Sequence, residues 1–291
     1  MKIAVTAASG RLGHAILKVL KEEVGADNVV GIARSPEKID TLVVEKRRGD
    51  YGSAEDFVGA FDGIDIAIMI SAPVTAGTDR VAMHRNLIEG AKRAGVRKML
   101  YTSIIGNGQE EGTKFFATQQ VNRQAEHDLK NSGLEWVVAR NGLYLELDLK
   151  HIIRAGEVGV YQNNGGEGRC GYLTIDELAF GIAKLAMDDQ HNGRIYNLIG
   201  QTNTQAELVA MANQVFGLNV AYQPISAEDN IKRFMADETI AARGEEVARM
   251  LTGCFECIAA GAFDVGSDFE MATGRPAKTT LQQMEEILQR Q

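Results

Sequence analysis

The first thirteen residues constrain this chain more than any other stretch. Lys2-Ile-Ala-Val-Thr6 reads as a buried strand that runs directly into Ala7-Ala8-Ser9-Gly10-Arg11-Leu12-Gly13. Beyond it the apolar residues Ala15, Ile16, Val19, Leu20 and Val24 recur at helical spacing. A strand, a glycine turn and a helix in that order make a phosphate cradle, because the free N–H groups and positive dipole end of the helix face the loop. The expected ligand is a pyrophosphate. Gly10 lets the backbone approach the phosphates, and Gly13 lets the helix pack on the strand. Ala7 stands where a dinucleotide fingerprint normally has its first glycine, and is expected to restrict the turn to backbone angles an L-residue tolerates. A second strand, 29–34, follows at the expected distance of about 20 residues.

At 291 residues the chain has room for a large core and a second lobe. Its 45% hydrophobic and 24% charged residues describe an ordinary globular protein. A net charge of −8 gives no overall attraction for nucleic acid or anionic membrane, so any anion site must be a local arrangement of Arg, Lys and backbone N–H groups. No signal-peptide pattern is present and no apolar run reaches the roughly 20 residues of a membrane span, so a cytoplasmic location is expected. The cysteines are Cys170, Cys254 and Cys257. Cys254-Phe-Glu-Cys257 has metal-like spacing but no second pair or nearby His, and falls on an apolar helical face with Val247, Met250, Leu251 and Ile258; no metal is expected.

Strands and helices alternate through the first half with short connections, the pattern of a doubly wound α/β parallel sheet. Strands are predicted at 2–6, 29–34, 46–50, 64–72, 97–103 and 135–140, and a later one, 195–199, returns to the sheet. Helices are predicted at 12–24, 37–43, 53–61, 78–94, 117–131 and 176–188. Ser53 and Thr204 read as the first residues of capping boxes. Residues 1–141, with 173–200, form the expected dinucleotide-binding domain. Residues 142–172 and 201–291 form a smaller, mostly helical substrate lobe over the strand ends, with an exposed glycine-rich loop at 163–168 and one strand at 220–224.

At the end of the second strand, where NAD-binding proteins often place a carboxylate, the chain has Arg34. A guanidinium fork suits a 2′-phosphate, and Lys38 adds a second positive charge nearby. Asp50-Tyr51 is expected to border the adenine pocket, and Ser71-Ala72-Pro73 the nicotinamide side. His84 reads as a satisfied helix residue. Reducing a simple ketone requires an acid for the developing alkoxide, on this fold commonly a Tyr with a Lys four residues later. None of the seven tyrosines has that partner, and Thr118 and Asn122 stand where the pair would be. No nucleophile elbow, metal-binding helix or Gly-Lys-Ser/Thr phosphate loop replaces it.

With the glycine turn, Arg34, Gly49-Asp-Tyr51, Tyr101-Thr-Ser103 and Arg140-Asn-Gly-Leu-Tyr144-Leu-Glu146 in order, the chain resembles the NmrA-like group of atypical short-chain dehydrogenases. Within that group it is most like the NADPH-dependent quinone oxidoreductase and triphenylmethane reductase branch. The resemblance covers nearly the whole chain and implies a Rossmann-like fold. It implies cofactor contacts at Gly10, Arg11, Leu12, Arg34, Lys38, Ser71 and Tyr144; the full expected set adds Thr6, Ala8, Ser9, Asp50, Tyr51, Ala72, Pro73, Thr102 and Asn141. Asn122 matches a position that is Lys or His in several relatives. The expected activity is hydride transfer from NADP(H), with NAD(H) second, to a small quinone-like or otherwise conjugated acceptor. Tyr144, Ser103 and Asn122 are the candidate catalytic or positioning groups. The alternative is an NADP(H)-binding redox sensor without turnover. Neither nucleic acid nor membrane is an expected partner, and the chain is expected to be a monomer or homodimer.

Overall fold

The computed structural model describes residues 1–39, 44–75 and 77–290. Six strands alternate with helices in the first half. They are β1 (Ile3–Val5), β2 (Val29–Ala33), β3 (Glu45–Arg48), β4 (Ile66–Ile70), β5 (Lys98–Ile104) and β6 (Glu135–Asn141). The helices between them are α1 (Arg11–Val24), α2 (Ala54–Ala60), α3 (Arg80–Arg93) and α4 (Phe116–Lys130). There follow β7 (Leu143–Tyr144), α5 (Leu145–Ala155), β8 (Val160–Asn163), β9 (Cys170–Leu173), α6 (Ile175–Met187), β10 (Arg194–Leu198) and β11 (Thr202–Asn203). The chain ends with α7 (Gln205–Phe216), β12 (Ala221–Pro224), α8 (Ala227–Met235), α9 (Glu238–Ala241), α10 (Glu245–Ala259), α11 (Phe269–Thr273) and α12 (Thr280–Gln289).

Seven strands form one sheet in the order β10-β6-β5-β4-β1-β2-β3, parallel throughout. The order reverses between β1 and β4, so the crevice at their C-terminal ends is the place where a doubly wound sheet takes its ligand. Strand β4 is fully buried except at Ile70, which explains its near-continuous apolar run. The edge strand β3 instead reads Glu-Lys-Arg-Arg and carries little apolar surface, as an unpaired edge requires. One face is covered by α1 and α6, whose Ile16, Leu17, Leu20, Leu178, Ile182 and Leu185 have no exposed surface. Each such side chain contributes about 1.5 to 3 kcal/mol. The other face carries α2, α3 and α4 through Phe57, Leu87 and Leu129. A third apolar core joins α5 and α7 to α10 around Tyr161, Tyr172, Phe255 and Phe263.

Several local expectations are corrected. The helix expected at 37–43 is a single 3₁₀ turn, Pro36–Lys38, as far as the described residues go; 40–43 lie outside them. Thr204 closes a full capping box with Glu207, whereas Ser53 only accepts the Asp56 N–H at 3.1 Å, because the Asp56 carboxylate turns to Arg48. The loop 163–168 is not an exposed tip, since of its residues only Glu167 is exposed. Asn163 donates to Gln205 and accepts from the Gly165 N–H, and a Cβ on Gly168 would sit 2.0 Å from the Ile258 carbonyl. The glycines there permit close packing on α10, not mobility.

Candidate functional site

Two clefts open at the C-terminal ends of the strands. The first, about 500 Å³, is lined by Ser9, Gly10, Arg11, His14, Lys18 and Lys38, and opposite them by Glu146, Asp176 and Arg290. Gly10 is the N-cap of α1 and supplies no capping side chain, so the first-turn N–H groups have no side-chain partner there. Ala7 holds φ at +49°, the only non-glycine positive φ among the described residues, and its carbonyl accepts the Gly10 N–H at 2.9 Å. Ala7 therefore takes the glycine conformation rather than restricting the turn to ordinary angles, at a cost of about 1 kcal/mol. Gly13 is mandatory: its Cβ would lie 2.5 Å from the Ala7 oxygen and 2.8 Å from the Ala8 Cα. Ala8 and Leu12 are buried, so these two offer the turn backbone only. Arg34 is exposed just beyond β2, and Lys38 lines the cleft. Uncapped N–H groups edged by Arg11, Lys18 and Lys38 fit a dinucleotide's phosphates.

The second cleft, about 400 Å³, lies where β4, β5 and β6 end beneath α10. Its walls include Ile70, Val74, Ile104, Phe115, Leu143, Leu147, Met250 and Leu251, with half-buried Cys254 between them. Its polar groups are Ser71, Arg80, Thr102, Ser103, Thr118, Asn122, Asn141 and Tyr144. The floor is one connected network. Arg80 donates from Nε to the Ala72 carbonyl at 2.9 Å and from Nη2 to Ser71 Oγ at 2.8 Å and Asn122 Oδ1 at 3.1 Å. Tyr101 donates to the same Asn122 oxygen at 3.3 Å. Because Arg80 only donates, the Asn122 atom facing it must be the carbonyl oxygen. That leaves Nδ2, which has no hydrogen bond among the described residues, for a ligand.

The remaining expected residues divide by geometry. Ser71 and Thr102 sit together, the Ser71 N–H donating to Thr102 Oγ1 at 3.2 Å, while Pro73 is exposed in the segment after β4. Asn141 is buried, its Oδ1 without a partner among the described residues, beside Tyr144 in the cavity wall. Ser103 gives its hydroxyl proton to Glu126 at 2.7 Å and so does not offer it to the cavity. Tyr51 points inward, its hydroxyl on Thr6 Oγ1 and on the Ile70 carbonyl, both at 2.7 Å. The Thr6 and Tyr51 hydroxyls thereby tie β1 to β4, and Asp50 accepts the Gly52 N–H in its own turn at 2.9 Å.

Beneath Ser103, Glu126 is 2% exposed, with Arg123 at 2.6 Å and Arg140 on both oxygens at 2.9 and 2.7 Å. Burial works to raise its pKa, but the Arg140 and Arg123 guanidiniums outweigh it and hold the carboxyl below its ordinary value. Among the described residues at the cavity, burial weakens the ionisable hydroxyls and thiol as acids. Burial pushes Tyr101 and Tyr144 each up to about 12 and Cys254 well above the ordinary thiol value.

His84 is buried, its Nε2 accepting the Ala72 N–H at 2.9 Å, but its Nδ1 has no partner among the described residues. Burial, then Arg80, lower its pKa to about 3. The folded value lies below the unfolded one, so on acidification the unfolded chain takes up the proton first; stability is complete above pH ~6.5 and falls as pH drops from there. Relative to His84→Gln, the protein should lose about 1.4 kcal/mol per pH unit between pH 6 and 4. Urea unfolding of both at several pH values checks this, and parallel curves would refute it.

Arg80 is the site residue that sequence reasoning passed over. The available signal was its place in the first turn of a helix, capped by Asp79, where a cation opposes the helix dipole. Met250, Leu251 and Cys254 come from a helix whose approach only packing decides.

The family model described as NAD(P)H-binding matches residues 7–162. Quinone oxidoreductase 2 of Escherichia coli is 31% identical over 231 residues, which is 78% of this chain and 79% of that protein. An NmrA-like family domain-containing oxidoreductase of Aspergillus flavus is 26% identical over 246 residues, 79% of this chain and 76% of that one. The structure of Citrobacter sp. triphenylmethane reductase complexed with NADP(H) superposes with a TM-score of 0.86 at 30% identity, covering 99% of both chains. The chain thus belongs to the NAD(P)H-binding family, among its NmrA-like reductases, and is an NAD(P)H-dependent oxidoreductase lacking the Tyr-x-x-x-Lys pair.

Proposed function

We propose that the chain takes NADPH and reduces a quinone-like or other conjugated acceptor held in the cavity beneath α10. The observation that carries this reading is the cavity itself, a largely apolar chamber in which burial raises the pKa of Tyr144 and Cys254 and to which no Tyr-x-x-x-Lys pair supplies an acid. Without a positioned acid, reduction of a simple ketone loses roughly 10²- to 10⁴-fold in rate. A conjugated acceptor delocalises the incoming charge and takes its proton later from water. When bound, the nicotinamide supplies the hydride. The chain's own work is to hold the acceptor, Asn122 Nδ2 and the Tyr144 hydroxyl meeting its oxygen while Phe115, Leu147 and Met250 exclude water. On this reading residues 1–141 and 173–200 hold the dinucleotide, and 142–172 and 201–291 the acceptor. NADP(H) is favoured over NAD(H) because Lys18 and Lys38 bring positive charge to the first cleft and Arg34, not a carboxylate, directly follows β2.

Calorimetric titration with both cofactors, followed by NADPH oxidation across quinones, enones, dyes and plain ketones, tests the proposal. NADPH should bind more tightly, Arg34→Ala should narrow the preference, and Asn122→Ala should slow quinone reduction about tenfold. Efficient reduction of plain ketones with quinones untouched would overturn the mechanism. Binding without turnover on any acceptor would instead favour the redox-sensor role.

A further inference from the structure

The floor of the second cleft carries an unneutralised charge. Arg80 is 9% exposed, and its guanidinium is satisfied by three neutral oxygens, those of Ala72, Ser71 and Asn122. No Asp or Glu forms an ion pair with it among the described residues. Asp79, beside it on α3, accepts the Ala82 N–H, and Asp128 on α4 is taken by Arg85 at 2.7 Å. The other groups packed around it are Tyr101 and His84, and His84 stays neutral. A buried guanidinium without a counter-ion is costly, and folded proteins nearly always pair one. Here it lines a cavity whose other walls are largely apolar, where a charge acts over a longer range than in water. Nη1 makes no hydrogen bond among the described residues, so one N–H pair of the fork is available.

We propose that Arg80 is the electrostatic catalyst that stands in for the missing acid, stabilising the anion that forms on a neutral acceptor and selecting neutral over cationic acceptors. The inference rests on the reading that a conjugated acceptor is reduced in this cavity, and it narrows the substrate class. A neutral quinone that takes up one hydride, with its electron pair, becomes a hydroquinonate; the cofactor is oxidised, and a proton from water later completes the hydroquinone. Negative charge thus develops where Arg80 and Asn122 Nδ2 both point positive charge at the cavity, and no proton need be delivered at the moment of transfer. A cationic triarylmethane dye brings positive charge toward the same guanidinium and is repelled on entry.

Two measurements on the intact chain with NADPH test this. Arg80→Gln should lower kcat for a neutral quinone by about 10²-fold, and it should raise kcat/KM for a cationic triarylmethane dye several-fold. A merely structural Arg80 would lower both together, and that result would overturn the inference. The second measurement needs no turnover: a nitrophenol that ionises near neutral pH mimics the hydroquinonate, and its colour reports its charge. Bound to the wild-type chain, the midpoint of its colour change should fall by about 1 to 2 pH units. Arg80→Gln should abolish that shift and Arg80→Lys should restore part of it. An equal shift in wild type and Arg80→Gln would sink the idea even if quinones are reduced. If the wild-type chain reduced neither quinone nor dye while the Arg80-dependent colour shift persisted, the reductase reading would fail and the charged cavity would stand.

Discussion

Gly13→Ala should lower the melting temperature by roughly 5 to 10 °C and weaken cofactor binding at least tenfold. The added methyl meets the Ala7 oxygen at 2.5 Å, the Ala8 Cα at 2.8 Å and the Ala7 carbonyl carbon at 3.0 Å, all of them backbone. Backbone cannot rotate away as a side-chain tip can, so either α1 lifts from β1 or the turn deforms. Overpacking of this kind costs about 2 to 3 kcal/mol. The turn is also where the first-turn N–H groups gather, so the same movement spoils the phosphate cradle. At Gly10 the corresponding contact is a single 3.2 Å approach, and Gly10→Ala should be milder. Thermal unfolding and calorimetric titration of the two variants together check the order. A Gly13→Ala protein that binds as tightly as wild type would mean that cofactor phosphates do not sit at this turn.

Glu126→Ala should cost about 3 to 5 kcal/mol, because it leaves two arginines without their shared counter-charge. Arg123 makes its ion pair through Nη1, while its Nη2 already lacks a partner among the described residues, and Arg140 directs both its hydrogen bonds to this one carboxylate. Glu126→Gln keeps the shape and one acceptor, so its loss should be smaller. The two variants therefore separate charge from packing. Denaturant midpoints are the measurement, and a loss under about 1 kcal/mol in the alanine variant would show that water already screens the cluster. Ser103 adds a kinetic readout. Its hydroxyl faces Glu126, and freeing it should change acceptor affinity only slightly if, as proposed, Asn122 and Tyr144 are the acceptor's contacts.

The elements most readily found in the sequence were those with a local cause. Strand β4 and helix α1 announce themselves by periodicity and by the glycine between strand and helix, and their boundaries are met within a few residues. Helix α5 went unrecognised because it begins directly after β7 with Tyr144 at its N-cap and no capping side chain. The glycine-rich stretch 163–168 reads as an exposed loop because glycine serves both surface turns and close packing, and only the neighbouring Ile258 decides between them. The Tyr51 and Ser103 hydroxyls turn to Thr6, Ile70 and Glu126, partners that no spacing rule reveals.

What the sequence determined by itself is whatever neighbours along the chain can settle: the parallel α/β sheet, the strand, glycine turn and helix at its head, and the lack of a Tyr-x-x-x-Lys pair. Those are statements about periods of two and 3.6 residues and about residue types at fixed offsets. The tertiary structure alone decided that Ala7 holds a left-handed turn, that Gly13 bears a tighter contact than Gly10, and that Arg80 has no counter-ion among the described residues beneath a chamber roofed by α10. The reason is physical. Whether a charge is paired, and which face of a hydroxyl is free, depends on groups brought together by packing from separate strands and helices, and that proximity has no signature in any one segment.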